Sequence, residues 1–111
     1  MTILQHTDDL LVVQAGTRIV NETTLTLDRA HGIARVERAT FMIPLKSEEV
    51  PLSEIRDIDL KAQTDSASGA ERFLPVIRLG SGRVLALPPI DDRAEAERTT
   101  REMREFVGLQ H

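Results

Sequence analysis

From Arg18 to Asp28 the chain alternates between two kinds of side chain. Ile19, Thr23, Leu25 and Leu27 share one parity, interrupted by Asn21, while Arg18, Glu22, Thr24, Thr26 and Asp28 share the other. A period of two puts one set on each face of a pleated strand, and β-branched residues suit that surface. The segment therefore predicts a half-buried strand. It ends at Asp28-Arg29-Ala30-His31-Gly32, where Asp can open a turn and Gly can take positive φ. A return strand from Ile33 to about Arg38, with Ala34 and Val36 opposite Arg35 and Glu37, completes an antiparallel hairpin.

A second hairpin is predicted near the end. Phe73–Leu79 and Arg83–Leu87 flank Gly80-Ser81-Gly82, and Pro88-Pro89 stops the return strand. Both faces of this hairpin are apolar. Phe73, Pro75, Ile77 and Leu79 share one side with Leu85 and Leu87, and Leu74, Val76, Val84 and Ala86 share the other. A sheet with one face in water should alternate with polar residues, so something is expected to cover the outer strip. That strip is the candidate interface for a protein partner or a second copy.

The period then changes. Asp91 or Asp92 can cap a helix over about 92–107, in which Ala96, Thr99 or Thr100, Met103, Phe106 and Val107 recur at helical spacing. Glu97–Arg101, Arg98–Glu102 and Arg101–Glu105 have i,i+4 spacing on its exposed side, and Gly108 suits the position after its end. Between the hairpins, Phe41, Ile43 and Leu45 share a parity, so 40–46 reads as a strand with Pro44 at an edge or bulge. Lys46 to Glu49 reads as a polar turn. From Asp57 to Gln63 a strand pattern competes with a helix capped by Ser53, and the strand is favoured because Leu60 falls off the helical face. Residues 64–72 lack pattern and read as a mobile surface loop.

One hundred and eleven residues, 41% of them hydrophobic, make one domain with a modest aliphatic core. The absence of cysteine excludes a disulfide scaffold, thiolate metal ligation and cysteine catalysis. A formal charge of −4 disfavours non-specific nucleic-acid binding, and no aromatic residue accompanies the arginines to stack a base. The start of the chain has no signal-peptide pattern and no apolar run approaches the length of a membrane span, so a cytoplasmic location is expected. His6, His31 and His111 show no ligand spacing, so neither metal nor cofactor is expected. Asp57 and Asp59 share a strand face expected to meet solvent. Arg29, His31, Arg35 and Arg38, around the first hairpin loop, form a candidate site for a small anion or lipid headgroup.

The order of these elements is similar to that of bacterial pleckstrin-homology-like (PH-like) domains. The resemblance rests on Leu25–Gly32, on Val50-Pro51-Leu52-Ser53-Glu54-Ile55-Arg56-Asp57-Ile58, on Val76–Leu87 and on the helix close Arg104–Leu109, and it covers roughly 10–109. It implies an α+β, mainly β fold: a strongly bent antiparallel sheet or partly open barrel of about seven strands, closed by one amphipathic C-terminal helix. Such domains are often fused to membrane spans, so any membrane association of this chain would be weak or supplied by a partner. The expected function is a non-enzymatic interaction module that binds a protein or itself through the sheet. The alternatives are an anion-binding peripheral module and a small enzyme with a pocket the sequence does not disclose.

Overall fold

A computed structural model describes residues 2–17, 21–41, 43–45 and 47–109. Arg18 and Ile19 of the first alternating stretch, Lys46 of the expected polar turn, and His111 lie outside the described residues. Strands β1 (Thr2–His6), β2 (Leu10–Thr17), β3 (Asn21–Asp28) and β4 (Ile33–Thr40) form an antiparallel meander. The far side of β4 is shared by β5 (Ile43–Pro44), which pairs with Thr40 and Ala39, and β6 (Glu48–Pro51), which pairs with Val36 to Ile33. A 3-10 turn, Leu52–Glu54, leads to a second sheet of β7 (Ile55–Thr64), β8 (Glu71–Leu79) and β9 (Val84–Ala86), with β8 central. Helix α1 (Arg93–Val107) follows. The chain is thus mainly β with one C-terminal helix. Among the described residues there are nine strands rather than about seven, in two antiparallel sheets that do not form a closed barrel.

Both expected hairpins form. Asp28 accepts the His31 N–H at 3.0 Å and Gly32 takes φ 68°, so the first turn closes where its residues allow it. Across it Leu25 faces Val36 and Leu27 faces Ala34, all four buried. The additional strands escaped the periodicity argument for two reasons. In β2 the run Leu10-Leu11-Val12-Val13 is apolar on both parities, which hides the fact that only Leu11, Val13 and Ala15 turn inward. β1 extends the sheet ahead of residue 10, where the family resemblance begins.

Inner side chains of both sheets meet in one core. Leu11, Val13, Leu25, Leu27, Val36, Ile58, Ile77, Leu85 and Leu87 pack together with Met103 and Phe106 of α1. The helix therefore lies on the Ile77/Leu85 side of the second sheet, as its buried stripe Ala96, Thr99, Thr100, Met103 and Phe106 requires. Asp92 caps it by accepting from Ala94 N–H at 2.9 Å, and Gly108 ends it at φ 81°. Glu97 pairs backwards with Arg93 at 3.0 Å, where Arg101 was expected. Among the described residues no helix is long and apolar enough to cross a membrane.

Three further expectations need correction. Among the described residues, the strand expected over 40–46 is broken: β4 ends at Thr40, Phe41 takes φ 50°, and Ile43 and Pro44 pair back onto β4 at an edge that tolerates proline. Glu48 and Glu49 belong to β6 and not to a turn. The loop expected over 64–72 shortens to 65–70, because Thr64 and Glu71 still pair, and Asp65 organises it by accepting from Ala67 N–H and Ser68 Oγ at 3.0 Å each.

Candidate functional site

The four residues of the anion site do not converge. Arg29 lies in the β3–β4 turn, but its guanidinium donates to the backbone carbonyls of Asp8 and Phe106 and stands 4.3 Å over the Phe106 ring. It clips three parts of the chain together: the first hairpin turn, the β1–β2 turn and the C-terminal end of α1. The His31 ring is 2.7 Å from the Asp28 carboxylate. Arg35 is paired with Glu49 of β6 at 3.1 Å. Arg38 sits farther along β4 with the opposite parity, in register with buried Thr23. Three of the four side chains thus satisfy partners within the fold.

The outer strip of the second sheet is also divided. Leu74 is half-buried, and Val76 is only 3% exposed, because the central strand is flanked by Asp59 on one neighbour and Ala86 on the other. Ala86 and Val84, the latter 49% exposed, lie on the open edge strand. Alternation assigned the face correctly. It could not show that position within the sheet decides how much of each residue meets water.

Other large apolar side chains are more exposed: Leu4 of β1 is 53% exposed, and three more follow one another on a single segment. Phe41, Ile43 and Leu45 are 63%, 65% and 52% exposed on the excursion from β4 to β6. The excursion is tethered where Leu45 N–H donates to Arg38 C=O at 2.8 Å. A cavity of about 330 Å³ lies beside it, lined by Glu22, Thr24, Glu37, Arg38, Pro44 and Leu45 among others. Phe41 holds a left-handed backbone conformation that costs a non-glycine residue roughly 1–2 kcal/mol. Sequence parity groups these three residues on one face of a strand. It does not say whether that face meets the core or water.

A second concavity, about 440 Å³, runs between β7 and α1. Ile58, Asp59 and Leu60 form one wall, and Glu97, Thr100, Arg101 and Arg104 the other. Arg104 bridges the two by donating to the Asp57 carboxylate and, at 2.6 Å, to Ile58 C=O. Thr100 Oγ1 is buried with no hydrogen-bond partner among the described residues.

Three carboxyls are held below the ordinary aspartate value. In Asp57 the main cause is the Arg104 hydrogen bond, in Asp28 the His31 backbone N–H, and in Asp65 the Ala67 backbone N–H. Each bond favours the charged form, so the stability it contributes is complete above the unfolded aspartate pKa and is lost as pH falls through and below about 4. Thermal melts from pH 7 to pH 3 should show stability declining at the acid end, with a shallower decline for Asp57→Asn. An equally steep decline would show that Asp57 carries none of it.

The class defined by this architecture is a two-sheet antiparallel β protein closed by a C-terminal helix. The chain finds no match among protein-family models, curated proteins or solved structures.

Proposed function

We propose that this chain is a non-enzymatic interaction module of PH-like fold that docks a protein partner through the Phe41–Leu45 excursion. The observation that supports it is the display of three large apolar side chains on one short, tethered segment. Scattered exposed hydrophobics need no explanation, but three within five residues make a patch of the kind that marks interaction sites. Aromatic and aliphatic anchors of this type bury roughly 1.5–3 kcal/mol each when fully covered. Glu22, Glu37 and Arg38 around the neighbouring cavity supply a polar rim.

The PH-like character of the module is supported by the mainly β chain and the single helix that closes its core. The anion-binding alternative loses support because Arg29, His31 and Arg35 already have partners.

A photo-reactive amino acid placed at position 41, in the cells that make the protein, tests the reading. One discrete protein adduct is expected from position 41 and none from exposed Ala62 on β7. The adduct should disappear when Ile43→Ser and Leu45→Ser are added. No discrete adduct from position 41, or the same adducts from both positions, overturns the proposal.

A further inference from the structure

Strand β7 forms one edge of the second sheet, and its free side carries a self-complementary code. On β8, Phe73 exchanges both backbone hydrogen bonds with Ile90, and Pro75 C=O accepts from Leu87 N–H at 2.9 Å. The odd-numbered residues of β8 therefore point their backbone groups away from β7, and the even-numbered ones point toward it. In the observed register, Asp59 opposite Val76 and Lys61 opposite Leu74, the outward backbone groups of β7 belong to Ile58, Leu60 and Ala62.

Side chains cap part of this edge. Ile58 N–H donates to Asp57 Oδ1 and Leu60 N–H to Asp59 Oδ1, each at 2.9 Å, while Arg104 covers Ile58 C=O. Leu60 C=O and both backbone groups of Ala62 have no partner among the described residues. Natural sheets protect exposed edges with charged residues, because an open edge accepts another strand.

We propose that β7 is a latent homodimer edge, able to pair antiparallel with β7 of a second copy and held shut by the Asp57–Arg104 cap. The occupant follows from charge. Pairing Leu60 with Leu60 puts Asp59 opposite Lys61 twice, Ile58 opposite Ala62 twice, and makes the outward residues the hydrogen-bonded pairs. Shifting the register one way sets Asp59 against Asp59, and the other way sets Lys61 against Lys61. A further shift in the first direction sets Asp57 against Asp59. The Asp59-centred register also sets Asp57 against Lys61, but around a like-charge pair; the Leu60-centred register matches opposite charges with no like-charge pair. The groove between β7 and α1 provides open space along this edge. The surface lies on the other sheet from Phe41, so the two interactions are independent.

Sedimentation equilibrium of the whole chain tests this. The wild type is expected to stay monomeric to about 100 µM, and Asp57→Ala and Arg104→Met, each checked for folding by circular dichroism, to dimerise at least about tenfold more tightly. Adding Lys61→Glu to either variant should return it to monomer, and adding Asp59→Lys as well should restore the dimer. The proposal is overturned if both uncapped variants are folded and no more associated than the wild type. A wild type as dimeric as the variants overturns the cap, and a dimer indifferent to Lys61→Glu overturns the register. If one uncapping variant fails to fold, the other carries the test, since Asp57→Ala frees the N–H of Ile58 and Arg104→Met frees its C=O, each opening the same outward residue. If neither folds, Asp57 and Arg104 are required for the fold and the proposal of a releasable cap is rejected.

Discussion

Met103→Asp should abolish the cooperative fold. Met103 is fully buried where α1 meets both sheets, packed in the same cluster as Leu27, Ile58 and Ile77. A carboxylate there would lose its hydration without gaining a cation, since the arginine nearest in sequence, Arg104, is engaged by Asp57 and Ile58. A buried, unpaired polar group costs several kcal/mol even when it takes up a proton, and the lost packing of the methionine adds roughly 2–5. Against a total stability of about 5–15 kcal/mol the sum removes most or all of the folded state. Circular dichroism and a thermal melt decide it. A sigmoidal melt within a few degrees of the wild type would mean that α1 is not part of the core.

Arg29→Ala has the next largest expected effect, although Arg29 is an exposed turn residue. Its guanidinium holds the Asp8 and Phe106 carbonyls and covers the Phe106 ring. A hydrogen bond from a charged donor is worth about 1.5–3 kcal/mol when desolvated, less at a partly exposed site, and a cation–π contact about 0.5–1. The expected loss is about 2–3 kcal/mol, a fall in melting temperature on the order of 10 °C. Arg29→Lys should recover only part of it, because an ammonium group cannot reach two carbonyls and cover the ring together. The same substitution separates two views of this residue. An anion-binding arginine could be removed with little effect on the melt, whereas a structural clip cannot.

Parts of this outcome were legible in particular residues. Leu25, Leu27, Ala34 and Val36 face inward because a strand's side chains alternate whatever the strand pairs with. Gly32, Gly82 and Gly108 mark chain reversals because positive φ is cheap only for glycine. Asp92 and the stripe from Ala96 to Phe106 define α1 through local hydrogen bonding and the helical repeat. Asp57 and Asp59 were visible as a pair, but not as caps of a strand edge, since that role depends on which side of β7 stays unpaired.

The sequence by itself determined the two hairpins, the C-terminal helix and their buried faces, because these follow from interactions spanning a few residues. Tertiary structure alone decided that Phe41, Ile43 and Leu45 point into water, that β7 keeps a free side, and that Val76 is shielded while Val84 is not. It also decided that Arg29, read as a ligand-binding cation, closes the fold. The physical reason is distance along the chain: Arg29 and Phe106 are 77 positions apart, and no local pattern records which carbonyl will arrive opposite a guanidinium when two sheets and a helix close around one core.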